Sequence, residues 1–308
     1  MASEFFGHLL GAPELDGRCR YLLRQNNPGG FEAALSVLQK ERGTSLRCME
    51  EAVISVFSRM NAAFLATGFS LEFLHGQHEA EGSSVKKFLA KFDAIFSLNQ
   101  DLLLESGYCA QAEPPQSFSS KWSGYSFPGM LEQPRQSYNP SIPRWCGRFA
   151  PSSTDTSVSP PSNTQPIYKL HGSANWTNET DGELLIMGGE KVDAINGSSV
   201  LKAYAQEFER RLKIAGTRLV IIGYSFGDHH INSVIESAAA LGGLKIFIVD
   251  PRGYEAPNPQ KDGGVRFRAA SPVTQTQACV AGFSCRTLAE IFGASTVERE
   301  NLFQFMRG

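Results

Sequence analysis

The chain predicts an α/β fold: a parallel sheet flanked by helices, with a long Pro/Ser-rich insert. Two observations carry that prediction. First, three apolar runs stop abruptly at polar residues. They are Phe96-Ser97-Leu98-Asn99-Gln100-Asp101, Tyr168-Lys169-Leu170-His171-Gly172-Ser173, and Leu219-Val220-Ile221-Ile222 running into Gly223-Tyr224-Ser225-Phe226-Gly227-Asp228. Second, a strand–helix–strand unit spans 219–249, which makes its two strands parallel. Parallel α/β sheets take their ligands beyond the carboxyl ends of their strands, so three polar clusters at strand ends predict one shared site.

The elements follow in order. Residues 1–92 are expected to be mainly helical. Phe31, Ala34, Leu35, Val37 and Leu38 make one amphipathic segment. Met49, Val53, Val56, Phe57 and Met60 make a longer one over 47–67, and 84–89 a short third. A strand over 94–98 follows. Ten of the sixteen prolines then fall in 110–166, together with many serines, so this stretch is expected to be irregular and to supply no core strand. A structureless stretch of that length is commonly a lid or a partner surface. Its aromatics Trp122, Tyr125, Phe127 and Trp145 call for burial somewhere.

The sheet core is expected over 167–252, from strands at 167–170 and, shorter, 184–187. Val200, Tyr204, Phe208 and Leu212 recur at helical spacing, and Gly216 suits that helix's end. A strand at 219–222, a helix at 228–241 capped by Asp228 and closed by Gly242-Gly243, and a strand at 245–249 complete it. Residues 253–308 read as a tail with weaker helices near 286–293 and 296–306. The whole, 1–308, reads as a single domain.

Composition excludes several classes. The chain has 308 residues, 42% hydrophobic, enough for a large core. With 29 basic and 31 acidic residues and no basic run, it carries no nucleic-acid footprint. No segment is apolar for long enough to span a membrane, and no signal peptide is read at the start. The six cysteines are scattered without a C-x-x-C pair, so reduced thiols, a cytoplasmic location and no metal are expected.

Rival chemistries attach to the same residues. Gly223-Tyr224-Ser225-Phe226-Gly227 matches the nucleophile elbow of serine hydrolases. Those enzymes need a histidine later in the chain, and none follows His230. Ser225 beside a helix N-terminus suits a phosphate or ribose contact better. Asp228, His229 and His230 could suggest a metal, but adjacent helical histidines point apart. A lone histidine after an apolar run is usually structural. His171 reads as functional because Gly172-Ser173 lets the backbone turn tightly and because its strand is expected to neighbour the Asn99 strand.

Taken together, the three polar blocks, extending through His229-His230-Ile231-Asn232, resemble the signature blocks of the sirtuin-like NAD hydrolases of bacterial anti-phage defence over roughly residues 30–252. The resemblance implies a Rossmann-like fold with NAD as substrate and Asn99 and His171 as the catalytic pair. Asn99 would hold the nicotinamide ribose and the attacking water, and His171 would act as base as nicotinamide leaves. Asp101 would support the ribose or Asn99. Ser97, Gly172, Ser173, Gly223, Ser225 and Asp228 would line the substrate, and Asp250 would bind the adenosine ribose. It also implies an effector that depletes NAD, working as a homo-oligomer or with a partner ATPase or an Argonaute-like protein.

Two departures bear on this. The family's Gly-rich phosphate loop is missing, with Leu9-Leu10-Gly11-Ala12 as a degenerate remnant at most. The zinc-ribbon cysteines of deacetylating sirtuins are also missing, which disfavours deacylation. The alternative is a non-enzymatic nucleotide-binding assembly subunit that has lost its phosphate loop.

Overall fold

The computed structural model describes residues 2–25, 30–66, 84–109, 122–134, 147–152, 158–178, 182–251, 272–293 and 295–308. The chain divides into two compact units: residues 1–70 with 90–204, and 71–89 with 205–308.

In the first unit, helices α1 (Ala2–Leu10), α2 (Gly17–Gln25), α3 (Gly30–Glu41) and α4 (Thr44–Ala66) pack into one core. Leu9, Leu23, Leu35, Leu38, Met49 and Val53 are buried there, and Phe5 lies against Phe31 and Phe57 at 5.1 and 5.0 Å. Asp16 starts α2 by accepting the Cys19 amide (2.7 Å), and the Ser45 hydroxyl donates to the same carboxylate. These donors, the Cys19 amide first, hold the Asp16 carboxyl below its ordinary range. Leu9 and Ala12 are fully buried at the end of α1. The candidate remnant of a phosphate loop is therefore the end of a helix, with two of its four residues in the core.

The same unit holds a parallel sheet of β1 (Ile95–Ser97), β5 (Thr164–Lys169) and β2 (Gly124–Ser126) in the order β1-β5-β2. Beside it in sequence, β3 (Met130–Glu132), β4 (Phe149–Pro151), β6 (Gly172–Thr177) and β7 (Glu183–Leu185) form a mixed sheet in that order. Two short helices close the unit's described chain, α6 (Lys191–Gly197) and the first part of α7 (Ser199–Leu212).

Residues 110–166 are thus not a strandless insert. Within them β2, β3, β4 and the start of β5 are regular structure, and β2 sits in the parallel sheet. Strands of three residues, with Pro128 shortly before β3 and Pro151 within β4, are too short to show a period. The aromatics expected to need burial find it partly here. Phe127 packs edge-on against Phe149 and Trp176, while Tyr204 stands across Tyr168 and donates to the Pro128 carbonyl at 2.7 Å. Trp122 is half-buried, and Trp145 lies outside the described residues.

The second unit is built on a wholly parallel sheet, β10 (Val280–Ser284), β9 (Lys245–Val249) and β8 (Arg218–Ile222) in the order β10-β9-β8. Helix α8 (His229–Ala240) links β8 to β9, as the sequence predicts, and its chain turns at Gly242 and Gly243, both at positive φ. Strand β10 was not legible: Gly282 in its middle and α9 (Pro272–Cys279) just before it disguise it. Helices α10 (Leu288–Gly293) and α11 (Thr296–Arg307) meet α5 (Val85–Leu89) through Phe88, whose ring contacts Phe292 and Phe303. Ser295 caps α11 by accepting the Glu298 amide, and Thr287 and Glu290 cap α10 reciprocally. Each unit contains a parallel sheet with helical flanks, a Rossmann-like α/β architecture.

Candidate active site

In the first unit, the register Ser97↔Lys169 brings two strand ends together. The loop after β1 and the turn after β5 are then tied by hydrogen bonds. The Leu170 amide donates to the Ser97 carbonyl, and the Ala174 amide to the Gln100 carbonyl, each at 2.9 Å. The Gln100 amide nitrogen donates to the carbonyls of His171 (3.0 Å) and Ile186 (2.6 Å). The Leu102 amide donates to Asn61 of α4 at 3.0 Å. The Asn99 loop and the His171 turn are therefore one assembled surface.

Within it the side chains differ in exposure. Asn99 is exposed, and its side-chain amide makes no hydrogen bond among the described residues. Ser97 is half-buried, and its hydroxyl accepts the Asn99 amide at 3.2 Å. His171 is buried, 3% exposed. Asp101 is buried and accepts the Leu103 amide at 2.9 Å, which fixes the loop's exit. Ser173 is wholly buried and donates to Glu105 at 3.3 Å. Gly172 is a required glycine: its φ is +77°, and a Cβ there would lie 1.8 Å from the Leu184 carbonyl oxygen.

A buried ion pair lies under this surface. The Lys169 ammonium donates to Glu105 Oε1 and to the Asp101 carbonyl, both at 2.6 Å. Sequence reasoning missed it, along with Gln100 and Asn61. Lys169 carried a signal, because a lysine inside a buried strand needs a counter-charge. Glu105 carried none, since it stands 64 residues from its partner.

In the second unit, the chain leaves β8 through Gly223, at φ +63°, whose amide donates to the Val249 carbonyl at 2.9 Å. No atom lies within 4 Å of a Cβ added at Gly223, so the backbone angle, not crowding, selects glycine. Phe226 also has positive φ, +55°. That strain is held by Asn232, whose amide donates to the Phe226 carbonyl at 2.7 Å while its oxygen accepts the Tyr224 hydroxyl at 2.8 Å. Burial pushes the Tyr224 phenol well above its ordinary range. Ser225 is exposed, and its hydroxyl makes no hydrogen bond among the described residues. Asp228 occupies the N-cap position of α8, but its side chain makes no capping hydrogen bond. The Tyr224 hydroxyl bonds the Asp228 amide and carbonyl there. Asp250 ends β9, buried at 5% exposure, with its amide bonded to the Ser284 carbonyl on β10.

No helix among the described residues is long and apolar enough to cross a membrane. No curated protein was found to match the chain. A SIR2-like domain matches residues 93–267, from just before β1 to beyond β9. That is more than half of the chain, and it includes every strand end described above. The chain therefore belongs to the SIR2-like domain family, whose members use NAD.

Proposed function

We propose that the protein hydrolyses NAD to nicotinamide and ADP-ribose. The observation that supports this best is the hydrogen-bonded assembly of the loop that carries Asn99 on the turn that carries His171. NAD supplies a ribose–nicotinamide bond that breaks with growing positive charge on the sugar, so oriented polar groups matter more than a strong nucleophile.

In this reading the Asn99 amide orients the nicotinamide ribose and the attacking water. A ring nitrogen of His171 takes the proton from that water or from a ribose hydroxyl. Asp101 supports Asn99 through the loop. Ser97, Gly172 and Ser173 shape the same surface. In the second unit, Gly223, Ser225 and Asp228 contact ribose and phosphate, favoured by the N-terminus of α8, and Asp250 takes the adenosine ribose hydroxyls. One feature of the second unit supports this part of the reading. The positive-φ loop 223–228 opens directly into a helix N-terminus, an arrangement that suits phosphate.

The cellular role in this proposal is a cytoplasmic effector of anti-phage defence that depletes NAD. It would act as a homo-oligomer or with a partner ATPase or Argonaute-like protein. The support is the resemblance of the three blocks and their order along the chain.

A second reading is favoured by one observation. The stretch that would hold a phosphate loop is the end of α1 and the residues just after it, with Leu9 and Ala12 fully buried. A chain without that loop could bind a nucleotide as an assembly subunit and leave it intact. Incubating purified protein with NAD and quantifying nicotinamide separates the two. Release of nicotinamide, lowered about 10²–10⁴-fold in Asn99→Ala and His171→Ala, supports hydrolysis. Binding of NAD with no release supports the subunit reading.

A further inference from the structure

We propose that Glu105 and Lys169 are positioning residues for the reaction, a buried ion pair that sets the Asn99 loop against the His171 turn. The proposal rests on the NAD-cleaving reading above. Both side chains are almost fully buried, at 1% exposure for Lys169 and 3% for Glu105. The pair gathers three segments at one point. Lys169, at the end of β5, grips the Asp101 carbonyl in the loop after β1. Glu105 Oε1 accepts Lys169 and also Ser173 at the start of β6. Positions 169 and 173 bracket His171, so the pair holds both flanks of the turn and the exit of the Asn99 loop.

Stability alone is a poor account of this pair. Glu105 Oε2 is buried and has no hydrogen-bond partner among the described residues. Buried pairs with incomplete hydrogen bonding return little net stability, and apolar pairs of similar volume often replace them without loss. Glu105 also opens a π-helical turn, Glu105–Cys109, a form that concentrates at functional sites. A poorly satisfied charge pair beneath two site loops points to placement of those loops.

The test is the double variant Glu105→Leu/Lys169→Met, which removes both charges at similar volume. NAD turnover and amide hydrogen exchange are measured on parent and variant. The expected variant folds, keeps KM within a few-fold, and loses about 10²-fold in kcat, the scale of a displaced reacting group. Its Leu102, Leu103 and Ala174 amides, which tie down the loop, exchange at least about tenfold faster while those of β5 do not. A folded variant with parental kcat and parental exchange overturns the proposal. Should the double variant not fold, Glu105→Gln is measured under the same criteria. If the parent itself releases no nicotinamide, the NAD-cleaving reading fails. The exchange comparison then still decides whether the pair sets the loop.

Discussion

The two polar strand-end regions of this molecule are held in opposite ways. At the ends of β1 and β5, a buried charge pair and several long-range hydrogen bonds lock the loop, while the backbone is ordinary except at Gly172. The loop at the end of β8 is held differently. Its shape comes from two positive-φ residues pinned by a neutral tyrosine–asparagine clasp eight residues apart. The first region is organised by partners distant in sequence, the second by its own neighbours. A local clasp suits a loop that must present backbone groups. A long-range charge pair suits two loops that must meet.

The sharpest way to break the contrast is Lys169→Met alone. It strands the Glu105 carboxylate in the interior and is expected to destabilise the first unit by about 3–5 kcal/mol, read by chemical denaturation. A loss under about 1 kcal/mol would mean that the carboxylate is solvated and the pair does not organise the region. Gly172→Ala comes next. Positive φ alone costs about 1–3 kcal/mol, and the Leu184 carbonyl leaves no room for the Cβ. Gly223→Ala carries the backbone strain without the clash, about 1–2 kcal/mol, so a larger loss than at Gly172 would reverse the comparison.

Asn232→Ala should cost about 1–3 kcal/mol by removing one partner each from the Phe226 carbonyl and the Tyr224 hydroxyl, with the loss confined to the second unit. The smallest expected effect is with pH. The Tyr224 phenol is raised in the fold by burial, so its contribution is complete below the ordinary tyrosine range, near 10.0. It is lost as pH rises through the higher folded value. Tyr224→Phe should flatten that alkaline decline. An unchanged alkaline profile in this variant would place the titration elsewhere.

The contrast also explains what the sequence could show. The parallel strands β1, β5, β8 and β9 were legible because apolar runs that stop at polar or glycine residues such as Asn99, His171 and Gly223 are local signals. The clasp of Tyr224 and Asn232 was within one helical turn of the loop and could have been anticipated. The Glu105–Lys169 pair could not, since its members stand 64 residues apart with three strands, β2, β3 and β4, between them. Strands β2, β3 and β4 escaped because three residues carry no periodicity and prolines masked them. Their place in the fold means that deleting 115–160 should unfold the first unit rather than open a gate.

The most direct test of the central claim is nicotinamide release from NAD by the purified protein, compared with its Asn99→Ala variant. Nicotinamide and ADP-ribose in equal amounts from the parent, with release from the variant lowered at least about 10²-fold, is the predicted result. Equal release from both proteins, or bound NAD that the parent leaves uncleaved, would contradict it.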